Sequence, residues 1–222
     1  MTRTTLTREQ ARRFYDRTGT RQDTQLVYER PALDRLVRQA AFGEATAVVE
    51  LGCGTGHFAR TLLTEHLPRR ATYRGFDLSP EMVRIARERV EGFGPRAAVE
   101  RIEGDPPLPL EDGCCDRFVS NYVLDLLPEG EIGAWLAEAH RLLRPGGRLC
   151  LVGITPGPTP LSRMIMALWS RVHRWRPSLV GGCRPLALRP HLDAAPGCWD
   201  LLHQSRIAAW GIASEVLVAR RL

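Results

Sequence analysis

Apolar positions along this chain switch between two periods, and the switching predicts its elements. Short runs rich in β-branched residues at 47–51 (AVVEL), 72–77, 98–103, 116–121 and 148–154 predict five strands. Helical patterns fall between them. A glycine turn at 52–56 leads into a helix to about residue 66, and Ser79-Pro80-Glu81 caps another with proline at its first position. Residues 129–144 carry Ile132, Trp135, Leu136, Ala139 and Leu142 at helical spacing and stop at Pro145-Gly146-Gly147. This alternation is that of a parallel sheet built from strand–helix–strand units.

Both ends depart from the alternation. Residues 8–41 predict helix with a polar break at 18–23, so 1–45 is expected to form a helical N-terminal cap ahead of a core at 46–222. After Ile154, a turn-rich 155–160 precedes a helix at 161–175 and an irregular Pro/Gly-rich stretch at 177–196. The whole of 155–198 reads as a lid-like insertion. Runs at 201–210 and 214–219, parted by Gly211, close the sheet as a strand pair, bringing the expected count to seven.

Composition narrows the classes. The 222 residues, 44% hydrophobic and 25% charged, suit one folded α/β domain rather than a disordered chain. The net charge of +6 comes from 31 basic residues, all arginine and spread from Arg3 to Arg221, so no concentrated nucleic-acid footprint is expected. The opening decapeptide is polar and no stretch is long and apolar enough to span a membrane, which predicts a cytoplasmic protein. Six cysteines without a C-x-x-C pair or zinc-type His/Cys spacing predict core thiols and no metal site.

The chemistry concentrates at Val48-Val-Glu-Leu-Gly-Cys-Gly-Thr-Gly-His57. Glycines at 52, 54 and 56 at a strand-to-helix turn let the backbone bend tightly and approach a nucleotide-like ligand. Position 57 is His, so the G-x-G-x-x-G dinucleotide fingerprint is broken, which disfavours a dehydrogenase. Asp77 follows Gly56 by 21 residues at a strand end, where a carboxylate can accept from two ribose hydroxyls.

Over residues 46–154 these features resemble the class I S-adenosylmethionine-dependent methyltransferases, in the broad subgroup acting on small molecules. Four motifs carry the likeness in order: Glu50-Leu-Gly-Cys-Gly-Thr-Gly56, Gly75-Phe-Asp-Leu-Ser-Pro-Glu-Met82, Gly104-Asp105, and Leu142-Leu-Arg-Pro-Gly-Gly-Arg148. The resemblance implies a Rossmann-like fold with a mostly parallel sheet and an antiparallel last strand. It implies S-adenosylmethionine as cofactor and S-adenosylhomocysteine as product. The implied cofactor set is Glu50, Gly52, Cys53, Gly54, Gly56, Asp77, Leu78, Met82, Asp105 and Asn121. Within it Glu50 organises the methionine end, Leu78 and Met82 flank adenine, and Asp105 accepts from its amino group. Pro106 departs from the pattern, having no N–H to offer the adenine ring.

Methyl transfer is an in-line displacement served chiefly by alignment, so no catalytic triad is expected. A small-molecule acceptor is expected between the N-terminal segment and the loop after the fourth strand, with Tyr15 and Asp125 as polar catalytic candidates. Tyr28, Tyr122, His173 and Arg184 are candidate acceptor-binding residues. A non-catalytic cofactor-binding subunit is the alternative, since fold alone does not establish activity. A nucleic-acid methyltransferase ranks below both, because Asp105-Pro-Pro-Leu108 lacks the aromatic residue of the base-methylating signature.

Overall fold

In the computed structural model, which describes residues 5–222, seven strands form one sheet. They are β1 (Ala47–Leu51), β2 (Thr72–Asp77), β3 (Ala97–Arg101), β4 (Cys115–Asn121), β5 (Leu143–Ile154), β6 (Trp199–Ala209) and β7 (Ile212–Arg221). Their order is β3-β2-β1-β4-β5-β7-β6, parallel throughout except β7, which runs antiparallel to β5 and β6. Side chains on the central strands alternate between two apolar layers. Val48, Cys150, Val152, Val216 and Val218 face one side, whereas Val49, Leu51, Leu149, Leu151 and Leu217 face the other. Near-continuous apolar runs follow because helices cover both faces of the sheet.

Among the described residues seven α-helices flank it: α1 (Arg8–Thr18), α2 (Leu26–Ala40), α3 (His57–Thr61), α4 (Pro80–Val90), α5 (Glu129–Leu142), α6 (Pro160–Trp175) and α7 (Leu188–Ala194). Thr7 begins α1 with a reciprocal capping box to Gln10, and Ser79 caps α4 by accepting from the Met82 N–H. Leu33, Leu36 and Ala40 bury the apolar stripe of α2 in the layer that holds Val216 and Val218. Truncating the fully buried Leu36 to alanine should cost about 2–5 kcal/mol. On the opposite face α5 seats Ile132, Trp135, Leu136 and Leu142 against Phe118 and Leu149.

Several expectations shift. The predicted cap at 1–45, of which 1–4 lie outside the described residues, is not one unit: α1 and the 3-10 turn Gly19–Gln25 lie over the sheet's carboxyl edge, whereas α2 is an integral layer of the sandwich that reaches this edge with Leu26, Glu29 and Leu33. Helix α5 ends at Leu142, because Pro145 disfavours helical backbone at Arg144 and the chain passes directly into β5. The stretch predicted as irregular, 177–196, contains α7, whose Leu188 and Leu192 pack in the α5 layer. Among the described residues no helix is long and apolar enough to cross a membrane. Four of the six cysteines are buried and all are free thiols.

Candidate active site

Strand order reverses between β1 and β4, and at such a switch point an open α/β sheet leaves a crevice beyond its carboxyl ends. A cavity of about 780 Å³ occupies this place, within the range of small-molecule sites. Its floor is the turn after β1. The Gly54 backbone has φ 52°, and a Cβ there would meet nothing within 4 Å, so the main chain itself borders open cavity. Gly56 serves packing instead. A Cβ there would come within 2.9 Å of the Ala86 Cβ, so its absence lets α3 approach α4, and Gly56 does not line the cavity.

Two carboxylates frame the turn. Asp77 Oδ2 accepts from the Gly54 N–H at 2.9 Å and Oδ1 from the Ser79 N–H at 2.9 Å, leaving further lone pairs on both oxygens. Burial pushes its pKa up, opposed by these N–H groups. Glu50 Oε2 accepts from the Tyr73 hydroxyl at 2.6 Å and Oε1 from the Asn121 amide at 3.3 Å. Burial lifts its carboxyl to about 7 despite those two donors. Leu78, Met82, Ile102 and Gly104 complete this end, where an adenine could lie between apolar side chains.

These residues fit S-adenosylmethionine. Asn121 Oδ1 is buried without a hydrogen-bond partner at the cavity wall, as is Gln22 Oε1, so both call for a donor such as a ligand ammonium. Among the described residues, Glu9, Asp23, Glu29, Glu50, Asp77 and Glu131 line the same space against a single arginine, Arg8. That excess of acid suits a cationic ligand. Asp23 is itself held by Arg89 and Thr55, and burial of its carboxyl is outweighed by those partners, so its pKa falls. No cluster of three or more metal-binding side chains occurs among the described residues.

The structure separates the residues singled out in the sequence. It brings Glu50, Gly52, Cys53, Gly54, Asp77, Leu78, Met82 and Asn121 to one cavity, together with Tyr15 and Tyr122. Asp105 is not on its wall; it pairs with Arg8 at 2.5 Å in a solvent-exposed contact, and Gly104 takes the wall position. Tyr28, His173 and Arg184 also stand behind the wall. Tyr28 packs edge-on to Tyr122, the His173 ring meets the Gly182 carbonyl at 3.0 Å, and Arg184 donates to carbonyls of the loop after β4.

Asp125 is wholly buried outside the cavity, accepting the Ile154 N–H at 2.9 Å. Burial raises its carboxyl to about 6. That position makes it a brace between the loop after β4 and the end of β5. Tyr15 does reach the cavity, but its hydroxyl donates to the Gly181 carbonyl at 3.2 Å and burial drives its pKa well above the ordinary phenol value. It serves as a donor rather than a base. No residue of 155–198 lines the cavity; α1 forms the roof instead, and Gly181 is its anchor.

Among the cavity residues that the sequence did not single out, Glu29 has the most chemical potential. Glu29 faces the cavity with no hydrogen-bond partner among the described residues, and burial, with Asp125 and Asp23 nearby, raises its carboxyl to about 8. The signal was present: Glu29 is three residues after Leu26 and four before Leu33, so it shares the inward stripe of α2.

Comparison with known proteins agrees with this geometry. Residues 48–147 match a family described as a methyltransferase domain. The chain is 34% identical over 173 residues to the malonyl-[acyl-carrier protein] O-methyltransferase of Pectobacterium atrosepticum, an alignment covering 75% of this chain and 58% of that protein. The chain spans about half the length of the curated relatives it matches. In fold it is similar to the [4+2]-cyclase SpnF, with TM-score 0.72, 16% identity and 98% and 97% of the two chains covered. It is also similar to a SAM-dependent methyltransferase of Aquifex aeolicus, with TM-score 0.64, 15% identity and 98% and 100% covered. Residues 48–147 match a methyltransferase domain, and the four sequence motifs and the sheet order are similar to those of the class I S-adenosylmethionine-dependent methyltransferases.

Proposed function

We propose that this chain transfers a methyl group from S-adenosylmethionine to a small, largely apolar acceptor. One observation carries the reading: Asp77, Glu50 and the unpartnered Asn121 Oδ1 surround an open glycine turn in a single acidic cavity. When bound, the cofactor supplies an electrophilic methyl on a positively charged sulfur. Asp77 would hold the ribose hydroxyls, while Glu50 and Asn121 would meet the ammonium end. Acceptor space is left between α1, α2 and the loop after β4, where Leu6, Leu26, Leu33, Leu126 and Leu127 supply an apolar lining. These walls exclude water and align the acceptor, which is the larger part of what such a displacement requires.

Glu29 is the proposed proton acceptor for an acceptor group that must lose a proton. Its carboxyl reaches the same space unpaired, with a pKa close enough to neutrality to take a proton in the transition state. The relative from Pectobacterium acts, by its name, on a malonyl group carried by a protein. The apolar lining here supports a less polar acceptor.

Calorimetry with S-adenosylmethionine and S-adenosylhomocysteine should show micromolar-scale binding, equivalent to about −8 kcal/mol. Heat with NAD and none with either cofactor form would overturn the proposal. A panel of apolar hydroxyl, amine and thiol acceptors, read by mass spectrometry for a methyl gain, separates an enzyme from a subunit that only binds. Tight cofactor binding without methyl gain or S-adenosylhomocysteine release on any acceptor favours the latter.

A further inference from the structure

Helix α6 presents an apolar stripe that none of the described residues covers. Its inner side is firmly seated: Met166 is buried with Ile154, Cys183 and Ala213, and Trp169 donates to the Cys183 carbonyl at 2.8 Å. Leu161, Met164, Leu168 and Trp175 point the other way, into solvent. At 3.6 residues per turn these four fall within an arc of about 60°. A globular protein ordinarily buries such a set, so a contiguous exposed one marks an interaction surface.

The adjoining hairpin extends it. Gly211, in the turn between β6 and β7, lies so close to Ile165 of α6 that a Cβ would come within 2.1 Å of its Cδ1. Beside it Trp210 is 81% exposed and has φ 55°. Bulky side chains rarely adopt this left-handed backbone, and a tryptophan left in water adds a second cost. Both costs fall on a side chain that makes no use of them within the fold.

The charge around the stripe has one sign. Arg163, Arg171, Arg174 and Arg176 are exposed and form no ion pair among the described residues, and no acidic residue occurs from 155 to 192. At 16 residues α6 is shorter than the ~20 that cross a bilayer. A basic amphipathic helix with leucine, methionine and tryptophan on its outer stripe has the make-up of one that lies in the headgroup plane.

We propose that α6 and the Trp210 turn form a peripheral docking face for an anionic lipid bilayer. The apolar stripe immerses at headgroup depth, and the four arginines meet lipid phosphates. A second copy of the chain fits the same face poorly, because a symmetric pairing there would press unpaired arginines against one another.

The test uses the full chain with vesicles of phosphatidylcholine alone and of phosphatidylcholine mixed with phosphatidylglycerol. Co-flotation with the mixed vesicles, weakened by added salt, is expected, together with a blue shift of tryptophan emission and its quenching by brominated lipid. Leu168→Glu and the double variant Arg171→Glu/Arg174→Glu should each lower partitioning tenfold or more. Both replace exposed residues, and unchanged circular dichroism and S-adenosylhomocysteine binding would report intact folding. Absence of partitioning at low salt, or partitioning unmoved by both variants, overturns the proposal. So does a dimer in sedimentation velocity that Leu168→Glu dissolves without any lipid binding. Saturable binding to purified acyl carrier protein in place of vesicles would likewise transfer the face to an acidic protein.

Discussion

Asp77 already holds two main-chain N–H groups in the free chain, so its carboxylate is oriented before any ligand arrives. Asp77→Ala should weaken cofactor binding by about 1.5–3 kcal/mol, read by calorimetry, because hydrogen bonds to a charged acceptor are lost. At Glu29 the proposed role makes turnover depend on the ionised form. The rate on a proton-losing acceptor should rise with pH through about 8, and Glu29→Gln should lower kcat by roughly 10²–10⁴-fold and flatten that rise. An unchanged pH profile in Glu29→Gln would remove the residue from the chemistry. Asp125→Asn is expected to leave turnover alone, since Asp125 touches Ile154 and not the cavity. Its sequence position, a lone carboxylate in an apolar run, signalled burial correctly, but not which side of the wall it would occupy.

At the scale of elements, α1 is the part we expect to move. Its tethers are few: Tyr15 to Gly181, Asp16 to Ser79 at 2.6 Å, and Arg8 to Asp105 and Glu131. The Arg8 pairs are largely exposed, and such pairs contribute on the order of 0–1 kcal/mol. Opening α1 therefore costs little compared with displacing α2, whose Leu36 and Ala40 have no exposed surface. Hydrogen exchange in residues 8–18 should slow on S-adenosylhomocysteine binding while that in 26–40 stays nearly constant. Equal slowing in both would refute a moving roof. The polar break at 18–23 falls between the two helices, although the sequence pattern alone grouped both in one N-terminal cap.

Across the whole molecule, burial raises the pKa of four carboxylates: Glu29 to about 8, Glu50 to about 7, Asp125 to about 6, and Asp77 in the same direction. Each prefers its protonated form in the folded chain more than in the unfolded one. The stability they contribute is therefore fully present below their unfolded values near pH 4 and is lost as pH rises through 6 to 8. The Tm of the free protein should fall over that interval, and Asp125→Asn should flatten its lower part. A cationic ligand in the acidic cavity favours the ionised carboxylates lining it, so the fall should be shallower with S-adenosylmethionine bound. A Tm that climbs from pH 5 to 8 in the free protein would contradict this.

The sequence by itself determined the strand–helix alternation, the glycine turn and the acidic strand ends, because strand period, backbone permissiveness and charge are local properties of consecutive residues. It also specified the closing hairpin through Gly211, where φ is 81°. What only the tertiary structure decided was membership of the cavity. Asp105 left for Arg8, residues 155–198 stayed off the cavity wall, and Glu29 entered from α2. Those outcomes depend on which helix faces cross at the β1–β4 reversal, a relation between residues tens of positions apart. Burial of a carboxylate, and with it the raised pKa on which the use proposed for Glu29 rests, exists only once those distant surfaces have met.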